Sequence, residues 1–95
     1  MTLPVTFALI VRIPEFGVAD FNAYEDKVLP ILKEHGGQLQ QRFRTADGQT
    51  EIHILSFTTQ SALDNYLIEP RRKLHSALLK ASGAETELLK MENII

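Results

Sequence analysis

Residues Asp20–Phe43, DFNAYEDKVLPILKEHGGQLQQRF, read as a helix stopped by two glycines and returned directly into a strand. Phe21, Tyr24, Val28, Ile31, Leu32 and His35 recur at three- and four-residue spacing, so they share one side of a 3.6-residue helix and form a stripe suited to a sheet. Asp20 is placed to cap the helix, and Glu25 and Asp26 fall in the early turns, where the helix dipole favours anions. Pro30 costs the helix one backbone donor. Gly36-Gly37 ends it, because glycine after the last helical residue takes the left-handed conformation that a side chain resists.

Working outward, VTFALIVRI over Val5–Ile13 is β-branched and aromatic, with Phe7, Leu9, Val11 and Ile13 on one face and Thr6, Ala8, Ile10 and Arg12 on the other. Two largely apolar faces predict a central strand. The second strand is expected over 38–45 and the third over 49–57, joined at Asp47-Gly48, a hairpin signal of the type I′ kind. The implied register pairs Arg44 with Glu51, Phe43 with Ile52, Arg42 with His53, Gln41 with Ile54 and Gln40 with Leu55. Strict alternation then sorts Leu39, Phe43, Ile52 and Ile54 to the helix side. Gln38, Gln40, Arg42, Arg44, Glu51, His53, Leu55 and Phe57 fall on the other face with Ala8 and Ile10, a mixture too apolar for water and too polar for a plain core.

Thr58 or Thr59 caps a second helix whose apolar positions are Ala62, Leu63, Tyr66 and Leu67, running to Glu69-Pro70. Helix is predicted to continue over 71–81, with Leu74, Ala77, Leu78 and Ala81 on one side and Ser82-Gly83 as its stop, before a last strand over 86–92. The order is βαββαβ. Helices on one face of an antiparallel sheet make this an α+β, ferredoxin-like sandwich in a single domain spanning residues 1–95.

A chain of 95 residues with 44% hydrophobic content supports one core and no second domain. The absence of cysteine removes disulfides and thiol nucleophiles and suits a reducing, cytoplasmic setting. The opening segment holds a short apolar run interrupted by Pro4, and it reads as a strand, not as a leader or membrane span. With a net charge of −2 and scattered basic residues, nucleic acid is not expected as a partner. His35, His53 and His75 lack the short spacing of a metal site, and no glycine-rich loop precedes a helix, so neither metal nor cofactor is called for.

His53 is the leading candidate for chemistry: a neutral imidazole opposite Arg42 can act as a general base while the guanidinium holds an anionic or enolate-like group. The plainer alternative is that His53 and Arg42 fill a wall while Arg44 and Glu51 form a cross-strand ion pair. Tyr24 and Tyr66, on the sheet-facing sides of their helices, join Glu51 and Arg12 as candidate ligand contacts, with core packing as the alternative for each tyrosine. His35 suits the negative end of its helix. Arg71-Arg72-Lys73 is unhelpfully cationic at a helix start, which predicts an acidic partner such as Glu85 or Glu87 of a neighbouring copy.

The segments YEDKVLPILKEHGGQLQQR and EIHILSFTTQSALDNYL resemble the dimeric α/β-barrel superfamily, in particular its small bacterial members of unknown function, through a tyrosine, a P-I-L-x-x-H-G-G helix end and a long strand ending in Phe-x-Thr. The resemblance covers nearly the whole chain. It implies a homodimer in which two ferredoxin-like units place their open sheet faces together as a barrel. The superfamily includes cofactor-independent monooxygenases, lactone isomerases and haem-dependent enzymes, so the fold does not choose among them. No histidine here can be assigned as a haem ligand. Monooxygenase branches use Asn, Trp and His, whereas this chain has no Trp, and Asn22 and Asn65 lie in helical patterns. Two functions follow as expectations. One is a homodimer that binds a small, largely apolar molecule with one polar or anionic end, between sheet and helices or in the barrel; the other is a cofactor-independent oxygenase or isomerase with His53 as base and Arg42 as stabiliser.

Overall fold

The computed structural model describes residues 4–95. Strand β1 (Val5–Arg12) leads through a 3₁₀ turn (Glu15–Gly17) into helix α1 (Val18–Glu34). Strands β2 (Gly37–Arg44) and β3 (Thr50–Phe57) form a hairpin. Helices α2 (Gln60–Leu67), α3 (Pro70–Leu74) and α4 (Ser76–Ser82) follow, and strand β4 (Glu85–Met91) closes the order. The four strands make one antiparallel sheet in the order β2-β3-β1-β4, with the helices on one side. This is the ferredoxin-like architecture. None of the described helices is long and apolar enough to cross a membrane.

The double glycine works as its sequence implies. His35 caps α1, Gly36 turns the chain at φ 73°, and β2 begins at Gly37. The start of α1 differs from expectation: it begins at Val18 with Gly17 as N-cap, because the 3₁₀ turn already directs the chain, and Asp20 lies inside the first turn, where its charge still suits the dipole. The helix runs through Pro30 without interruption. Thr59 caps α2, its side chain accepting from the Ala62 N–H.

One turn and one helix differ from expectation. The hairpin turn is not type I′, since Gly48 is its sole residue with positive φ and the Gly48 N–H is bonded to the Thr45 carbonyl at 2.9 Å. The predicted helix over 71–81 is two helices meeting at His75, so Leu74 faces solvent at 77% exposure and Leu79 packs into the core instead.

The assignment of sheet faces is the main correction. The pairings of Arg44 with Glu51, Phe43 with Ile52, Arg42 with His53 and Gln41 with Ile54 are as expected, but Leu55 pairs with Leu39 because the ladder shifts register between Leu39 and Gln41. That bulge leaves Gln40 unpaired and breaks the alternation, so Leu39 shares a face with Arg42 and Arg44. The face is the helix side. Phe7, Leu55 and Phe57 pack there against Ile31, Leu32, Leu63 and Tyr66, each such burial contributing about 1.5–3 kcal/mol. Glu51 and His53, on the same side of β3, are carried under the helices with them. The open face instead holds Ala8, Ile10, Phe43, Ile52, Ile54 and Leu89.

Candidate functional site

β3 runs from polar to apolar along its helix side: Glu51, His53, Leu55, Phe57. Glu51 is 0% exposed, and its carboxylate accepts from Arg42 Nε at 2.8 Å, from Arg44 Nε at 2.7 Å and from Arg44 Nη2. His53 Nε2 lies 2.8 Å from Glu51 Oε1. Burial alone would resist ionisation of Glu51, but the bonds from Arg42, His53 and Arg44 outweigh it and hold the carboxyl at about 2. An ionised carboxylate only accepts, so Nε2 carries the proton of a neutral imidazole and Nδ1 is left as the basic nitrogen. Burial lowers the affinity of His53 for a second proton, with Glu51 partly opposing that effect.

Past His53 the helix layer leaves a cavity of about 160 Å³. Its walls are mainly apolar, with Leu9, Phe21, Val28, Leu55 and Leu63 among them, and its polar residues are His53, Tyr24, Glu25, Tyr66, Arg72 and Thr86. Arg72 arrives from α3, which Glu69 and Pro70 start at a defined point by N-cap and fixed φ. Its guanidinium carbon sits 4.5 Å from the Tyr66 ring centroid, and its Nη groups donate to the Leu67 carbonyl at 3.1 Å and to the Tyr24 hydroxyl at 3.4 Å. Arg72 Nε is buried with no hydrogen-bond partner. Burial pushes the Tyr66 hydroxyl up to about 12, keeping it a neutral donor.

Glu25 is the unanticipated member of this group. It is 5% exposed, and burial raises its carboxyl to about 7, against the pull of Arg42 and with the push of Glu51. Its position was readable: Phe21, Glu25, Val28 and Leu32 stand four, three and four residues apart, so the acid occupies the apolar stripe. Arg72 had no such signal, since its direction depends on the short α3.

The structure therefore brings together His53, Tyr24 and Tyr66 around one cavity, with Glu51 behind His53. Arg42 does not line that cavity; its side chain is turned to Glu51 beside a surface cleft with Asn22, Asp26, Phe43 and Arg44. Arg12 is apart from both, on the open face, exposed and 4.0 Å from Glu87. Arg71 pairs with Glu34 and Glu69 within the chain. His35 bonds Glu69 at 3.1 Å, tying the end of α1 to the start of α3. Among the described residues no cluster of three His, Cys, Asp or Glu side chains is placed to hold a metal.

No protein-family model matches this sequence, and no curated protein is significantly similar to it. Solved structures do share the fold. A cofactor-independent oxygenase from Streptomyces nogalater, SnoaB, superposes with a TM-score of 0.75 at 20% identity, covering 97% of this chain and 96% of its own. A Bacteroides thetaiotaomicron protein assigned provisionally as an antibiotic biosynthesis monooxygenase has a TM-score of 0.78 at 11% identity, over 98% and 91% of the two chains. Rv0793 from Mycobacterium tuberculosis matches at a TM-score of 0.73 and 15% identity, over 95% and 96%. At these identities the likeness establishes the architecture.

Proposed function

We propose that the protein binds a small, largely apolar molecule with one polar or anionic end in the cavity between sheet and helices, and does so as a homodimer in the cytoplasm. The observation that carries this reading is the buried, unpartnered Arg72 Nε beside Tyr24 and Tyr66 at a mainly apolar cavity. A buried donor left unpaired costs on the order of 1–3 kcal/mol, which a ligand oxygen would recover. The cavity sets the size: about 160 Å³ suits one ring, comparable to cavities of about 150 Å³ that accept benzene. Pairing of two copies is supported by the open face, where Phe43 is 56% exposed amid Ile10, Ile52 and Leu89. The test is titration with one-ring ligands, benzoate and toluene, alongside sedimentation at low micromolar concentration. Binding of neither ligand, or a stable monomer, refutes the corresponding half of the proposal.

The second reading is a cofactor-independent oxygenase or isomerase, favoured by the neutral His53 held by Glu51 at the cavity wall and by the fold shared with the S. nogalater oxygenase. In it, a proton passes from the bound molecule to His53 Nδ1, Glu51 steadies the resulting imidazolium, and the oxyanion left behind accepts from Arg72 Nε. Arg72 takes the stabilising role expected of Arg42, because Arg42 is committed to Glu51 and stands outside the cavity. Deuterium exchange at an acidic carbon of a bound ketone, present in the parent and abolished in His53→Gln, is the outcome this reading expects.

A further inference from the structure

Glu25 and Arg72 approach one cavity from α1 and α3, yet they do not bond to each other. No hydrogen bond or ion pair of the Glu25 carboxyl is found among the described residues, its oxygens keeping some accessible surface within a residue 5% exposed, and Arg72 Nε is fully buried without a partner. Two side chains of opposite formal charge thus line the same largely apolar space with unused bonding capacity, and for the sealed Arg72 Nε that is costly unless something completes it. We infer that Glu25 and Arg72 form a two-point receptor for a compact carboxylate, which the cavity takes up together with one proton. One carboxylate oxygen accepts from Arg72 Nε–H and the other from the protonated Glu25 carboxyl. The inference deepens the binding reading above and rests on it.

The proton must reside on Glu25, because every other titratable group around it is spoken for. From its own helix come Tyr24, whose hydroxyl accepts from Arg72, and Asp26, which is exposed. From β2 comes Arg42, a permanent cation. β3 supplies Glu51, kept ionised by three donor residues, and His53, whose protonation would add a cation to a site that already has Arg42, Arg44 and Arg72. From α2 comes Tyr66, held neutral by burial. The sides formed by β1, β4 and α4 present Leu9, Thr86, Leu88 and Leu79, none of them titratable. A ligand anion beside Glu25 disfavours its ionised form, so a carboxyl that stands at about 7 when alone gains its proton as the anion enters.

The experiment is isothermal titration of the whole chain with benzoate in two buffers of different ionisation enthalpy, at pH 6 and pH 8, with toluene as the uncharged control. At pH 8 benzoate binding should take up about one proton, against roughly a tenth of one at pH 6, and above pH 8 its Kd should weaken about tenfold per unit while that of toluene stays constant. Glu25→Gln, which mimics the protonated carboxyl, should bind benzoate with no proton uptake at either pH. Benzoate binding by the parent without uptake at pH 8, or uptake that persists in Glu25→Gln, overturns the inference. Toluene binding without benzoate binding overturns the receptor and leaves the cavity reading standing; binding of neither removes both.

Discussion

The molecule contains the same trio of residue types twice, once sealed under the helices and once nearer the surface. On the sheet, Glu51 is bonded by His53, Arg42 and Arg44; at the junction of α1 and α3, Glu69 is bonded by His35 and Arg71. Both carboxyls are held at about 2, but by different balances. Glu51 is wholly buried and overcomes desolvation through its donors, whereas Glu69, 13% exposed beside an Arg71 that is 45% exposed, is held mainly by Arg71. Equal titration does not mean equal structural weight. A bond in the dry interior has no water to replace it, while a partner lost at the surface is replaced by solvent.

The largest expected effect is the loss of Glu51. Glu51→Ala strands His53 and two guanidiniums that are only 29% and 37% exposed, and should lower unfolding free energy in urea by about 3–5 kcal/mol. Glu69→Ala should move the urea midpoint far less. Equal shifts in the two variants would show that burial of Glu51 adds nothing to the weight of its bonds.

The next effect is the pH profile. Glu51 is depressed from 4.5 to about 2, so its stabilisation is complete above the unfolded value of 4.5 and is lost as pH falls toward 2. Glu25 is raised from 4.5 to about 7, which has the opposite sign for an acid: the folded state holds its proton more tightly, so stability falls as pH rises from 4.5 through 7. The two limbs, each on the order of 2–3 kcal/mol, place the stability maximum near pH 5. In Glu25→Gln the upper limb should vanish; a maximum that stays near pH 5 in this variant would refute the role given to Glu25.

Smaller again is the contrast of the two histidines. His53→Ala removes a side chain 1% exposed and one of the Glu51 donors, costing about 2–3 kcal/mol, while His35→Ala, partly open to water, should cost about 1 kcal/mol or less. Thermal melts of both variants at pH 7 make the comparison. The smallest effect is salt sensitivity: a double-mutant cycle on Glu69 and Arg71 should lose its coupling in 0.5 M salt, where the screening length is roughly 4 Å, and the cycle on Glu51 and Arg42 should keep most of its own. Parallel losses would show that Glu51 is solvated after all.

What could be read before folding was whatever depends on neighbours along the chain. The stop at Gly36, the cap at Thr59, the strand and helix order, and the pairings of Arg42 with His53 and Arg44 with Glu51 all follow from local backbone needs and a short hairpin. Which face of that hairpin lies under the helices was not local. It turned on a bulge at Gln40 and on Leu55 and Phe57 outweighing the polar pair beside them, since a buried carboxylate is tolerated once its donors are in place. Likewise, Glu25 showed its place by spacing alone, but its company did not. That Arg72 from a five-residue helix, Tyr24 from α1 and His53 from β3 meet around one cavity is decided by packing between segments distant in sequence, and no periodicity along the chain encodes it.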